Sequence, residues 1–281
     1  MSEQVVIVGF GWVGQANAIA LHEMGYSVSS YDVQQPVRHY AAHRAAAYDR
    51  IAALPHPLAV DGDRTWYMVC VGDKDLPNGS QDIAEIEAAL ESLRGAAGKI
   101  ILRSTILPDR LSKLVFDFYV PEFLHEKTAV QDAISPRLLA IGENSKTDLP
   151  QFVADWARQA DKVFIGTAEE AAHIKYLCNL WNATQVAFVN EMATAIATDK
   201  TPGSRARAER IIDFVFERKP YLRFGKAFGG RCLTKDVRAF IDWSRQQGVT
   251  AAILEGVWAA NVRHSMQPEH GSLPEWFFGR E

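Results

Sequence analysis

Phe228-Gly229-Gly230-Arg231-Cys232-Leu233-Thr234-Lys235-Asp236 sets a cysteine just after a glycine pair, at the start of a segment patterned as a helix. Glycines allow close backbone approach to a ligand. A helix start lowers a thiol's pKa, because its unpaired N–H groups and the macrodipole favour the thiolate. Asp236, four residues on, falls on the same helical face, where a carboxylate could act as a base or hold a water. These groups equip the segment for covalent chemistry at a carbonyl carbon. The alternative is a buried structural cysteine beside a surface ion pair, since unpaired cysteines are commonly buried.

The N-terminal segment supplies a second chemistry. Val5-Val6-Ile7-Val8 is a β-branched run leading into Gly9-Phe10-Gly11-Trp12-Val13-Gly14, a GxGxxG turn. A helical pattern from Gln15 to Met24 follows, then a strand from Ser27 to Tyr31 closed by Asp32. An acid about 20 residues past the glycines is where a dinucleotide-binding unit holds the adenosine ribose. Gly9, Gly11, Trp12, Val13, Gly14 and Asp32 are therefore the expected cofactor-binding residues. A carboxylate at that place repels a 2′-phosphate, and no arginine follows it immediately, so NAD is expected over NADP.

Three further segments narrow the reading. Arg103-Ser104-Thr105-Ile106-Leu107-Pro108 follows a strand-like run, Val120-Pro121-Glu122-Phe123-Leu124-His125-Glu126 places two carboxylates four apart, and Lys175 and Asn179 share one face of a long helical pattern. With the two segments above, these occur in the order found in the UDP-glucose/GDP-mannose 6-dehydrogenase family, which the chain resembles. The resemblance implies oxidation of the C6 primary alcohol of a nucleotide sugar to a carboxylate, with two NAD molecules used in succession. It implies that Cys232 captures the aldehyde as a thiohemiacetal, later a thioester that water hydrolyses. Lys175, Asn179 and Asp236 would stabilise oxyanions and help activate water, and Thr105 and Glu126 would hold the ordered water. Thr105 and Lys235 would also lie near the cofactor. Glu122, Phe123, Leu124, Lys175, Asn179, Phe228 and Gly229 would border the substrate. A homodimer through the long central helix is a further implication.

Departures from the family pattern matter too. Thr234 stands where proline is usual, implying a looser turn; Gln185 replaces a frequent lysine. Val71-Gly72-Asp73-Lys74 replaces the usual V-P-T-P-like turn near the cofactor. No clear counterpart of the family's substrate arginine precedes Phe228, with Arg218 and Arg223 as nearby candidates. Family enzymes continue into a third domain that grips the nucleotide; here the pattern fades after Asn261. The tail from Gln267 to Glu281 is too short for a domain, so a short member lacking that domain is expected.

The elements that must position these groups follow from hydrophobic patterning. Strands are expected near 5–8, 27–31, 66–71, 99–102, 116–120, 138–141 and 162–165, alternating with helices, which predicts an α/β fold with a mostly parallel sheet. A seam at Gly166-Thr167 divides a Rossmann-type, doubly wound NAD-binding domain (1–166) from an all-helical domain (167–281) that carries the cysteine. Helices are expected over 168–198, 205–217, 232–247 and 251–263.

The 281 residues, 48% hydrophobic and 23% charged, suit one or two globular domains. A net charge of −4 argues against binding nucleic acid or anionic membranes. No apolar run reaches the roughly 18 residues of a membrane helix, and Met1-Ser2-Glu3-Gln4 lacks signal-peptide character, so a cytoplasmic protein is expected. Cys70 and Cys178 read as reduced core residues. His39 and His43, four apart, lack a third ligand, and no metal site is expected. The basic cluster Arg205, Arg207 and Arg210 could meet a phosphate, but a solvent-exposed helix start with Glu209 as partner is expected. Two other functions stay open: a two-electron β-hydroxyacid-type dehydrogenase, and a non-catalytic NAD-binding remnant.

Overall fold

The computed structural model describes residues 3–125, 127–197, 203–216 and 227–266. The readings for Glu126, Arg218, Arg223 and the tail from Gln267 lie outside the described residues. The chain divides into two compact units, Met1–Asp73 with Asp82–Lys175, and Lys74–Gln81 with Tyr176–Glu281.

In chain order the elements are β1 (Gln4–Val8), α1 (Trp12–Glu23), β2 (Ser27–Tyr31), α2 (Ala41–Tyr48), β3 (Ala52–Ala53) and β4 (Thr65–Val69). A ribbon of β5 (Lys74–Asp75) and β6 (Gln81–Asp82) precedes α3 (Ala84–Glu91), β7 (Lys99–Leu102), α4 (Pro108–Leu111) and β8 (Phe118–Tyr119). Then come α5 (Ala129–Ile134), β9 (Leu138–Glu143), α6 (Gln151–Gln159) and β10 (Lys162–Thr167). Helices α7 (Ala168–Ile196), α8 (Ser204–Val215), α9 (Gly230–Gln246) and α10 (Ala252–Ser265) are the last elements among the described residues.

The first unit is built on an eight-stranded sheet in the order β10-β9-β8-β7-β4-β1-β2-β3. Neighbours run parallel except β8 against β9. Strand order reverses on either side of β1, so the crevice beyond the ends of β1 and β4 is the switch point where doubly wound sheets bind ligands. In register, Val8 pairs with Val69 there. Both faces of the central strands are buried, which is why they read as continuous apolar runs rather than alternating ones. Val5 and Ile7 join Ile19 and Leu21 of α1 and Phe152 and Trp156 of α6 on one side. Val6 and Val8 join Ile86 and Leu90 of α3, and Ala171 and Ala172 at the start of α7, on the other. Each large side chain so buried contributes about 1.5–3 kcal/mol.

All seven expected strands form, though β8 keeps only two residues. Sequence patterning missed β3, β5 and β6, each too short for a periodic signal. The four expected helices form with ends shifted by no more than two residues, and α7 runs for 29 residues, about 44 Å.

In the second unit, Val189 and Ala193 of α7 pack on Ala208 and Ile212 of α8. Tyr176 meets Phe240 of α9 with ring centroids 5.6 Å apart. Besides these helices, the unit takes in Lys74–Gln81, which carries β5 and the start of β6. Arg238 of α9 forms an ion pair with Asp75 and donates through Nη2 to the carbonyls of Leu76 (3.3 Å) and Pro77 (3.0 Å). Gln81 donates to the Tyr176 hydroxyl at 3.2 Å.

Candidate active site

The glycine turn sits at the switch point of the sheet. Gly9 adopts φ +88°, and a Cβ on it would come within 2.8 Å of Val71, beyond the end of β4. A Cβ on Gly14 would lie 2.0 Å from the Gly9 carbonyl oxygen, so α1 packs onto its own loop only because position 14 is bare. Gly11 differs: its φ is −76° and a Cβ there would meet nothing within 4 Å. Neither backbone nor packing requires glycine at 11, whereas a pyrophosphate approaching the helix start does. The start of α1 has no side-chain cap and no acidic residue in its first turn, leaving its N–H groups for an anion. Asp32 closes β2 and accepts hydrogen bonds from Phe10 N (2.6 Å, Oδ2) and Gln34 N (2.9 Å, Oδ1). These residues fit an NAD.

Sequence reading missed Gln15, which organises this turn. Its fully buried amide donates to the carbonyls of Phe10 (2.6 Å) and Val37 (2.7 Å), and its oxygen accepts from His39 N and the Tyr48 hydroxyl. Residues 37–48 are thereby tied to the glycine turn. Exposed Trp12 stacks on His39, centroids 4.0 Å apart, which makes this histidine an aromatic neighbour of the turn.

A second cluster in the same unit surrounds Glu122, whose carboxylate is buried. Oε1 accepts from Phe123 N (2.7 Å) and Leu124 N (2.9 Å). Oε2 accepts from Asn17 Nδ2 (3.1 Å) and from the buried guanidinium of Arg103. The carboxylate thus braces its own loop, and the Glu122 carbonyl oxygen accepts from the Lys175 ammonium. Lys175, also buried, lies 5.2 Å from the Phe123 ring centroid, a cation–π distance. Leu124 is half-buried beside them. Thr105 follows β7 and is half-buried, and the adjacent Ser104 hydroxyl donates to the Val71 carbonyl at 2.6 Å.

The third cluster belongs to the second unit. Cys232 lies in the first turn of α9 and is exposed, so it is not the buried structural cysteine of the alternative reading. Cys70 is that cysteine: burial pushes its thiol up to about 12. Cys178 is half-buried rather than a core residue. One turn beyond Cys232, Asp236 is 1% exposed. Its Oδ2 accepts from Asn179 Nδ2 and its Oδ1 from Lys235 Nζ, both at 2.5 Å. A buried carboxylate needs such partners, and here they fix the orientation of the Asn179 amide. The Thr234 hydroxyl donates to the Gly230 carbonyl at 2.6 Å and closes the first turn of α9. Phe228 is buried and Gly229 half-buried at the entry to that turn.

Arg205 and Glu209 pair at 3.2 Å on the exposed start of α8. Among the described residues no group of three or more His, Cys, Asp or Glu side chains could hold a metal, and no helix is long and apolar enough to cross a membrane.

Residues 169–263 match the central domain of the UDP-glucose/GDP-mannose dehydrogenase family. GDP-mannose 6-dehydrogenase of Pseudomonas aeruginosa is 28% identical over 305 aligned residues, covering 92% of this chain and 68% of that protein. UDP-glucose 6-dehydrogenase of the same organism is 27% identical over 323 residues, covering 99% and 69%. The structure of a UDP-glucose dehydrogenase from the archaeon Pyrobaculum islandicum matches with a TM-score of 0.78 at 22% identity, a likeness of fold covering 94% of this chain and 68% of that one.

Proposed function

Because this chain belongs to the UDP-glucose/GDP-mannose dehydrogenase family, we propose that it oxidises the C6 primary alcohol of a nucleotide sugar to a carboxylate in two steps. Cys232 holds the sugar between them. The observation that carries the reading is an exposed thiol in the first turn of α9 with a buried, hydrogen-bonded carboxylate one turn on. The Gly9–Gly14 turn and Asp32 would hold an NAD, which when bound would supply hydride acceptance twice per substrate.

The chain's own groups do the rest. Once C6 is an aldehyde, the Cys232 thiolate adds to that carbon, and its oxygen takes up negative charge. Lys175 and Asn179, one turn apart on α7, are donors suited to that oxyanion, where aimed donors contribute a few kcal/mol. Loss of the second hydride leaves a thioester. Water adds to its carbonyl carbon, the sulfur departs as thiolate, and the carboxylate is released. Asp236 keeps the Asn179 amide aimed and supports water activation, and Thr105 and Glu126 hold the water. Covalent capture prevents escape of a reactive aldehyde between the two oxidations.

In this reading residues 1–166 bind the dinucleotide and 167–281 carry the thiol, in a cytoplasmic homodimer. The dimer rests on an exposed apolar stripe along α7: Leu177, Trp181, Phe188 and Met192, of which Leu177 and Trp181 are 64% and 61% exposed. Spacings of four, seven and four keep these on one helical face. The test is NADH formed per sugar consumed, with GDP-mannose and then UDP-glucose. Two NADH per sugar, with turnover lost in Cys232→Ala, is expected. One NADH, or full turnover without the thiol, would instead indicate the two-electron dehydrogenase.

A further inference from the structure

We propose that Asn261 of α10 is a positioning residue for Cys232; the inference rests on the thiol reading above. Residues 227–229 belong to no helix or strand, yet Phe228 is 4% exposed. Its backbone N–H and C=O therefore need partners away from water. Both find them in one side chain. Asn261 Oδ1 accepts from Phe228 N at 2.8 Å, and Asn261 Nδ2 donates to the Phe228 carbonyl at 2.9 Å. Asn261 is itself 3% exposed, so its amide imitates the two-bond pairing of a neighbouring strand. Trp258, one turn earlier on α10, faces the Phe228 ring with centroids 6.5 Å apart. Phe228 is thus held by backbone and by ring.

The clamp matters because of the two glycines after it. Gly229 is extended and Gly230 has φ +77°, so two residues without side chains join the clamped residue to the first turn of α9. Glycines alone leave such a junction loosely defined. Asn261 fixes one end of it and the Thr234–Gly230 bond the other. Between them they determine whether Cys232 stays within a formed first turn, whose N–H groups favour the thiolate.

The three cysteines differ in burial, which gives the test its internal control. Iodoacetamide labelling of the full-length protein at neutral pH, followed site by site by mass spectrometry, reads each thiol separately. In Asn261→Ala, Cys232 labelling is expected to slow about three-fold. One unit of thiol pKa changes the thiolate fraction ten-fold, and the opposing change in nucleophilicity returns roughly half of that on a logarithmic scale. Labelling of Cys70 and Cys178 is expected to stay unchanged. Asn261→Asp, which keeps the acceptor for Phe228 N but loses the donor, is expected to fall between. If Asn261→Ala does not fold, Asn261→Asp alone carries the test. Faster labelling of all three cysteines, or an unchanged Cys232 rate in the folded variants, would show a merely structural asparagine and overturn the proposal. A wild-type Cys232 no more reactive than free cysteine would overturn the thiol reading itself, a failure that is visible without any variant.

Discussion

Replacing Arg103 by methionine probes the most consequential buried interaction in the first unit. Arg103 and Glu122 form an ion pair whose side chains are 6% and 10% exposed. The guanidinium lies 4.9 Å from the Trp156 ring centroid. Arg103→Met leaves the Glu122 carboxylate buried with one charged partner gone. Stranding a buried charge in this way costs about 3–5 kcal/mol. Glu122→Gln strands the guanidinium instead, but a glutamine oxygen can still accept from Phe123 N and Leu124 N, so about 2–3 kcal/mol is expected. In the double variant no charge is left unpaired. The new amide would face the Asn17 amide, which can turn its unpartnered Oδ1 toward it only by giving up the 2.8 Å Nδ2 bond to the Val13 carbonyl. A loss of about 2–4 kcal/mol is then expected, against about 5–8 for the sum, which gives a coupling near 3 kcal/mol. Urea unfolding followed by tryptophan fluorescence measures all four proteins, and Trp156 reports on the site itself. A double variant as unstable as the sum would refute the reasoning, because it would mean that the two side chains act independently and that Glu122 does not need its cation.

Other consequences attach to particular residues. Gly14→Ala is expected to disrupt the fold, since its Cβ would lie 2.0 Å from the Gly9 oxygen, whereas Gly11→Ala should fold normally and lose NAD affinity by calorimetry; equal stability losses in both would contradict the packing argument. Trp181→Glu, on the exposed stripe of α7, is expected to give a monomer in sedimentation velocity with near-normal thermal stability. Asp61 has a lowered pKa: burial pushes it up, but hydrogen bonds from Ala97 N (2.9 Å), Gly98 N (3.0 Å) and the Tyr67 hydroxyl (2.9 Å) outweigh that. A carboxyl depressed in the folded state adds stability above its unfolded pKa of about 4, and that stability is lost as the pH falls through the folded value. Asp61→Asn should therefore flatten the acid limb of the stability curve; an unchanged limb would assign acid unfolding to other groups.

The order of residues was enough to locate the longer strands, α1, the four helices from α7 onward and both glycine-containing turns, though not the two-residue strands β3, β5 and β6. β1, the glycine turn, α1 and Asp32 are legible because they are local: glycine at 14 follows from a steric contact with residue 9, and the acid follows from strand length. The Cys232 turn is legible for the same reason, and so are the apolar strands and α7. Which polar groups meet is a property of the folded chain alone. The carboxylate of Glu122 braces its own loop through Arg103 and Asn17, 19 and 105 residues away in the chain, partners that its own segment does not announce. The Glu122 carbonyl meets Lys175 across 53 residues, and Asn261 reaches Phe228 across 33. Strand order and helix packing fix such pairings, and periodicity along one segment carries no information about the side chains of another. A buried polar group must find a partner, but only the folded chain selects which one.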